Sequence, residues 1–411
     1  MNAPGPDHAV LHQLARDGDM LQFGGMPLNR LAQRIGRTPF YAYDLAQIAQ
    51  RVASLRAALP AGVHLHYAMK ANPMPAVVQW LAGLVDGIDV ASAGELATAL
   101  DTVMPAPRIS FAGPGKTDGE LARAVAAGVL VNVESRAQLE RLAQAGDRLG
   151  LAPRVAVRVN PEFSLRRAGM RMGGGAQPFG VDAALVPALL GRIGQLQLDF
   201  HGFHLFSGSQ NLSAVALAEA QAASVELALQ LAIDAPGPLK VLNIGGGFGV
   251  PYFPGDSALE LAPLADSLQR QLQRLATSAP GARLNIELGR YLVAEAGIYV
   301  CQVIERKVSH GQVFLVTDGG LHHHLAASGN FGQLIRKNYP VAIGNRLHGG
   351  EREIVSVVGP LCTPLDLLAD QMEMARAGEG DLVVVFQSGA YGLSASPTAF
   401  LGHPLPAEVL V

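Results

Sequence analysis

The chain has 411 residues, 49% of them apolar, with 47 glycines and a net charge of −3. That length exceeds one ordinary core, so two domains or one large barrel with an appendage are expected. The near-neutral charge offers no field for nucleic acid or an anionic membrane, and no run approaches the roughly 18 apolar residues that span a bilayer. Cys301 and Cys362 are the only cysteines, which argues against a disulfide framework or a zinc knuckle and suits a reducing cytoplasm.

Residues 1–38 are polar and punctuated by glycine and proline, with a short helical pattern at 28–34. They lack a signal-peptide apolar region and are expected to pack with the C-terminal part of the chain. Over 39–290 apolar runs alternate with amphipathic stretches. Strands are predicted at 64–70, 87–92, 108–112, 130–134, 154–160, 198–206, 241–245 and 284–287. Helices are predicted at 45–59, 75–84, 94–100, 137–145, 183–193, 214–231 and 259–275. Eight strand–helix units of this size indicate an α/β fold of the (β/α)8 barrel type, with a doubly wound sheet as the competitor, because local pattern does not show closure. Over 291–411 the rhythm changes to strands without regular helices, at 298–308, 313–317, 353–358 and 382–387, a β-rich C-terminal domain.

Barrel chemistry gathers at the C-terminal ends of strands. Those ends carry Lys70, Asp89, Ser92, Glu134, Arg158, Asn160, His201, His204, Ser207, Ser209, the run Gly245-Gly246-Gly247, Glu287 and Arg290. A lysine in a half-apolar pocket can act as an amine nucleophile toward a carbonyl. The glycine run after an apolar strand can offer bare N–H groups to a phosphate, although Val250 and Pro251 break the dinucleotide-binding pattern. Gly113-Pro114-Gly115-Lys116-Thr117 misses the phosphate-loop spacing because Ser110 stands where its first glycine belongs, so Lys116 reads as an ordinary loop lysine. His322-His323-His324 reads as a loop near the mouth of the active site. On extended chain three neighbours cannot all face one ion, and no metal is expected. Cys362 stands with Asp366 in a Gly/Pro-bracketed loop.

Tyr67-Ala68-Met69-Lys70-Ala71-Asn72, Gly245-Gly246-Gly247-Phe248, Glu287-Leu288-Gly289-Arg290, the Cys362 loop and Gly389-Ala390-Tyr391-Gly392 occur in one order. From about residue 39 to the C-terminus this resembles the fold-type III pyridoxal-phosphate decarboxylases, the diaminopimelate and ornithine decarboxylase family, with an alanine racemase-like barrel. The phrases at 322–332 and 359–366 are similar to the subgroup associated with exosortase A systems and exopolysaccharide loci, and to decarboxylases of carrier-linked glutamate. The resemblance implies that Lys70 forms the Schiff base with pyridoxal 5'-phosphate and that Glu287 pairs with the pyridine nitrogen. It implies that Gly245, Gly246, Gly247, Ser209, Arg290 and Tyr391 hold the phosphate. By the same resemblance Cys362 returns the proton after CO2 leaves, while Arg336, Arg290 and Asp366 contact substrate. It also implies a cytoplasmic homodimer with shared active sites.

Two positions depart from the family pattern. The ring-stacking histidine falls at Phe206, with His204 two residues earlier on the same face, so either ring is a candidate to cover the cofactor. Thr363 stands where the family has an acid that holds the far amino group of a basic substrate, which disfavours diaminopimelate, ornithine, lysine and arginine. The expected activity is decarboxylation of an amino acid or an amino-acid conjugate. An amino-acid racemase and a non-catalytic cofactor-binding protein are the alternatives.

Overall fold

The computed structural model describes residues 8–163, 169–171, 173–333, 335–348 and 350–411; the first seven residues of the N-terminal segment lie outside this set. The chain forms two compact units. One comprises Ala49–Val250 and Ala258–Leu292, the other Met1–Ile48, Pro251–Ser257 and Val293–Val411.

The first unit is a closed parallel barrel of eight strands. These are β1 (Val63–Ala68), β2 (Gly87–Val90), β3 (Ile109–Phe111), β4 (Leu130–Val133), β5 (Arg154–Asn160), β6 (Asp199–Leu205), β7 (Val241–Gly246) and β8 (Arg283–Leu288). β8 pairs with β1, and Val131–Val133 of β4 register on Val155–Val157 of β5, so no edge remains and the doubly wound alternative is excluded. The strands read as nearly continuous apolar runs because both faces are covered. Helices begin where the sequence supplies caps. Ser92, Ser135 and Ser213 each accept an N–H of the following turn, and Thr117 with Glu120 closes a capping box. Helix Asp118–Ala127 and helix Arg136–Leu149 end on Gly128 and Gly150 in the left-handed region.

Helix Ala214–Leu231 runs on through a 3₁₀ turn to Asp234, and by length and composition alone this stretch could cross a bilayer. It is the barrel helix after β6, and Leu217, Val225, Ala228 and Leu231 are buried along it. Its hydropathy is that of a core-facing helix.

The second unit is a mainly antiparallel sheet. Its strands include β9 (Gly297–Ser309), β10 (Gln312–Thr317), β11 (Val341–Ile343), β12 (Arg352–Val358), β13 (Leu367–Ala375) and β14 (Leu382–Val385). Their order is β11-β14-β9-β10-β12-β13, which leaves β11 and β13 as the edges of that path. Phe40–Tyr43, which the sequence reading put at the head of the barrel segment, pairs instead with Gly297–Val300 and with Ala407–Leu410. Its four residues are all buried there. The core of this sheet joins Phe40, Ala42, Ile298, Val300, Val384 and Phe386 to Leu21, Leu28 and Leu31 of the N-terminal segment.

Candidate active site

β1 was expected to deliver Lys70 as its last residue. The strand stops at Ala68 and Lys70 lies in the 3₁₀ turn Met69–Ala71. The buried Tyr67 hydroxyl donates to the Asn72 carbonyl at 2.8 Å, and the Asn72 N–H donates to Met69 at 3.1 Å, which turns the chain. The Lys70 side chain keeps 41% exposure, with Nζ 3.7 Å from Glu287 Oε1 and 5.2 Å from the centre of the Phe206 ring. Gly289 makes this approach possible. A Cβ there would meet Ala71 Cβ at 2.8 Å and the Ala68 carbonyl at 2.9 Å, so any larger residue would push the Glu287–Arg290 turn away from Lys70.

Glu287 is buried on β8, and its other oxygen lies 3.2 Å from His204 Nε2. That contact is too poorly aligned to satisfy the ring as a hydrogen bond, and His204 Nδ1 has no hydrogen-bond partner among the described residues. Burial by itself raises the Glu287 pKa. The Lys70 charge, then His204, then Arg158 overcome it and hold the carboxyl well below the usual range. The acid is therefore ionised at neutral pH. His204 and Phe206 are two residues apart at the end of β6 and serve different neighbours, His204 the carboxylate and Phe206 the amine.

The loops after β6 and β7 are zipped together. Asn211 N–H donates to the Gly247 carbonyl and Gly249 N–H to the Asn211 carbonyl, both at 2.9 Å. The Gln210 side chain donates to the Val250 carbonyl and accepts its N–H. This brings Ser209 beside Gly245-Gly246-Gly247. Gly245 and Gly247 have φ of 68° and 79°, which favours glycine. A Cβ on Gly245 would also strike the Phe206 ring at 2.8 Å, and one on Gly246 would strike the Glu287 carbonyl. The run is a bare-backbone surface at the same end of the barrel as Lys70. Arg290 opens the short helix that follows Glu287.

Behind these residues lies a second charged cluster. Glu134 accepts from Arg158 at 3.1 and 3.3 Å and from the Gly180 N–H at 3.1 Å. Burial by itself raises the Glu134 pKa, and the Arg158 charge overrides that and lowers it. Lys116, read as an ordinary loop lysine, is buried. It donates to the Gly113 and Asn132 carbonyls at 2.7 and 2.9 Å and to Gln138 at 3.4 Å. Burial lowers its pKa to about 8, with the Glu134 charge pulling the other way. The sequence reading missed this lysine because its spacing was tested only against a phosphate loop. It also passed over Glu95, an acid whose pKa burial raises and the Lys70 charge lowers.

The remaining candidates lie in the β unit. Cys362 is exposed. Asp366, expected to contact substrate, gives its two oxygens to backbone donors, Leu321 N–H at 2.6 Å and Leu361 N–H at 2.8 Å. A Cβ at Gly320 or Gly359 would collide with that carboxylate. It ties the Cys362 loop to the turn that begins the histidine run. Arg336, also expected at the substrate, donates to the Ser328 carbonyl at 3.1 Å, Asn338 at 2.8 Å and the Leu367 carbonyl at 2.9 Å. Tyr391 has a φ of 54°, an uncommon conformation for a bulky residue and one that marks functional turns. His322, His323 and His324 are buried in a turn, not laid along an extended loop. Burial first, and neighbouring histidines second for His322, lower the His322 and His324 pKa values to about 3.

A buried ionised acid beside a lysine amine, with a glycine cradle and a serine alongside, fits a ring with a basic nitrogen, an aldehyde and a phosphate. Comparisons with known proteins agree. The family profile described as pyridoxal-dependent decarboxylase, pyridoxal binding domain, matches residues 45–294. L-glutamyl-[BtrI acyl-carrier protein] decarboxylase of Niallia circulans is 38% identical, over 91% of this chain and 88% of that one. Diaminopimelate decarboxylase of Aquifex aeolicus is 33% identical, over 96% and 91%. The structure of diaminopimelate decarboxylase from Helicobacter pylori complexed with L-lysine superposes with a TM-score of 0.83 at 26% identity, covering 93% of this chain and 94% of that one.

Proposed function

We infer that this chain, which belongs to the pyridoxal-dependent decarboxylase family, removes the α-carboxylate of a glutamyl group held on a carrier protein. It is a carboxy-lyase whose cofactor is pyridoxal 5'-phosphate. Its relatives are decarboxylases, which sets aside the racemase and non-catalytic readings. When bound, the cofactor accepts the electron pair left behind by the departing carboxylate.

In this reading the Lys70 amine holds the cofactor aldehyde, and ionised Glu287 keeps the pyridine nitrogen protonated. His204 orients the acid and Phe206 covers the ring. Ser209, Gly245, Gly246, Gly247, Arg290 and Tyr391 receive the phosphate, Gly246 and Gly247 through N–H groups that no Cβ obstructs, while the Gly245 N–H donates to Asn243 Oδ1 at 2.8 Å and shapes the turn. Cys362 returns a proton to the α-carbon, held in position by Asp366. Arg336, with N–H groups to spare beyond its three internal bonds, takes a substrate carboxylate, the task for which a guanidinium fork is suited. The same reading makes the protein a cytoplasmic homodimer with shared active sites and, on the likeness of the phrases at 322–332 and 359–366, a member of the exosortase-associated subgroup linked to exopolysaccharide loci.

The observation that carries the substrate is the 38% match to a glutamyl-carrier decarboxylase. It is supported by Thr363, a neutral residue where diamino-acid enzymes place an acid. The test is CO2 release from glutamyl-loaded carrier protein set against free glutamate, diaminopimelate, lysine and ornithine. The carrier-linked substrate is expected to be turned over with the highest kcat/KM, and preference for a free diamino acid would contradict the reading.

A further inference from the structure

The sheet of the second unit is open along one seam. Among the described residues β11 pairs with β14 alone and β13 with β12 alone. Phe386 N–H donates to Pro340 and Gly344 N–H to Leu382, so the alternation of an antiparallel ladder turns both backbone groups of Val341 and the N–H of Ile343 away from β14. At one end the gap is stitched shut. Asn338 exchanges bonds with the backbone of Asp370 at 2.8 and 2.9 Å, and Arg336 reaches Leu367. Beyond that stitch the two strands run close without a ladder between them among the described residues, and residues 341–343 and 371–375 line a cavity of about 620 Å3.

The chemistry of the cavity is divided. Leu11, Leu14, Val341, Ile343, Met372 and Met374 give it apolar walls. Lys337, Arg346 and Arg352 also line it, and among the described lining residues Glu373 is the one acid. Arg346 bridges the buried Asp381 at 3.0 Å, and Arg352 bridges Glu373 at 3.2 Å with both side chains half exposed. An exposed bridge such as Arg352–Glu373 is weak, and a phosphate can replace it. In a chain of net charge −3 this is a local excess of positive charge.

We propose that this seam binds the prosthetic arm of a carrier protein, a 4'-phosphopantetheine chain. Such an arm is extended, with short apolar segments between polar groups. It carries amides that can pair with the backbone groups of β11 that face away from β14, and a phosphate suited to Lys337, Arg346 and Arg352. The cavity volume falls within the range that holds ligands of this size. Strand edges give affinity to extended amide chains without reading a sequence. The proposal rests on the carrier-linked reading above and adds where the carrier's arm is held.

The experiment compares the wild-type holoenzyme with a Lys337→Glu/Arg352→Glu variant. One substrate is glutamyl-loaded carrier protein, and the other is the glutamyl thioester of a short thiol that lacks the phosphate and amides. For the variant, kcat/KM on the carrier-linked substrate is expected to fall tenfold or more through KM, with the short thioester unaffected. Equal losses on both substrates, or none, would overturn the proposal. Equilibrium binding of free 4'-phosphopantetheine is the second measurement. Binding to the wild type that weakens at least tenfold in the variant supports the seam even if no carrier-linked glutamate is decarboxylated, an outcome that would sink only the substrate reading. Absence of binding to the wild type would sink the seam.

Discussion

Glu287 shows how the barrel keeps a buried acid charged. Removing a carboxylate from water costs several kcal/mol. One lysine 3.7 Å away returns about 4 kcal/mol at an effective dielectric near 20, and less because the amine is half exposed. A single partner roughly breaks even, so His204 and Arg158 decide the outcome in favour of the ionised form. A Glu287→Gln protein keeps the shape and loses the charge. It is expected to bind the cofactor and to turn over about 10²–10³ times more slowly. Cofactor absorbance with undiminished kcat would show that the acid has no electrostatic role. The type and order of Lys70, Glu287 and Arg290 were legible in the sequence. The contribution of Gly289 was not, because a close approach between the β1 and β8 turns has no signature in either segment alone.

At the scale of elements, the barrel strands were readable because each is a short apolar run bounded by polar residues, and their predicted limits fall within a few residues of the observed ones. Phe40–Tyr43 was misplaced because an all-buried run reads alike whichever sheet receives it. Lys116 was misread for a related reason, since its partners are carbonyls contributed by Gly113 and Asn132, and backbone acceptors leave no trace in a sequence. Its burial has a consequence for stability. The folded pKa near 8 lies below the unfolded value of 10.5, so between those limits the unfolded chain binds more protons and stability rises with pH. Relative to a Lys116→Met variant, wild-type stability is expected to be level below pH 8 and to gain up to about 3 kcal/mol by pH 10.5. Denaturant unfolding across that range measures it, and a difference independent of pH would contradict the buried-lysine account.

Across the whole molecule, the two units carry different kinds of information. The barrel unit holds a lysine, an ionised acid and a bare-backbone cradle, and the family profile matches the segment that carries them. The β unit holds Thr363, the buried histidine turn, the Asp366 clamp and the open seam. The histidine run was visible in the sequence but its burial was not, since burial depends on the sheet that closes around it. The clamp was hidden too, because an acid that binds substrate and one that binds backbone N–H groups are the same letter.

The central claim is that Lys70 carries the cofactor. The chain has five lysines, at positions 70, 116, 240, 307 and 337, so a chemical label has few places to go. Borohydride reduction of the holoenzyme, followed by peptide mapping, reads the attachment point directly. The account predicts a reduced pyridoxyl adduct on the peptide containing Lys70. An adduct on buried Lys116 or on any other lysine, or an unlabelled chain, would contradict it.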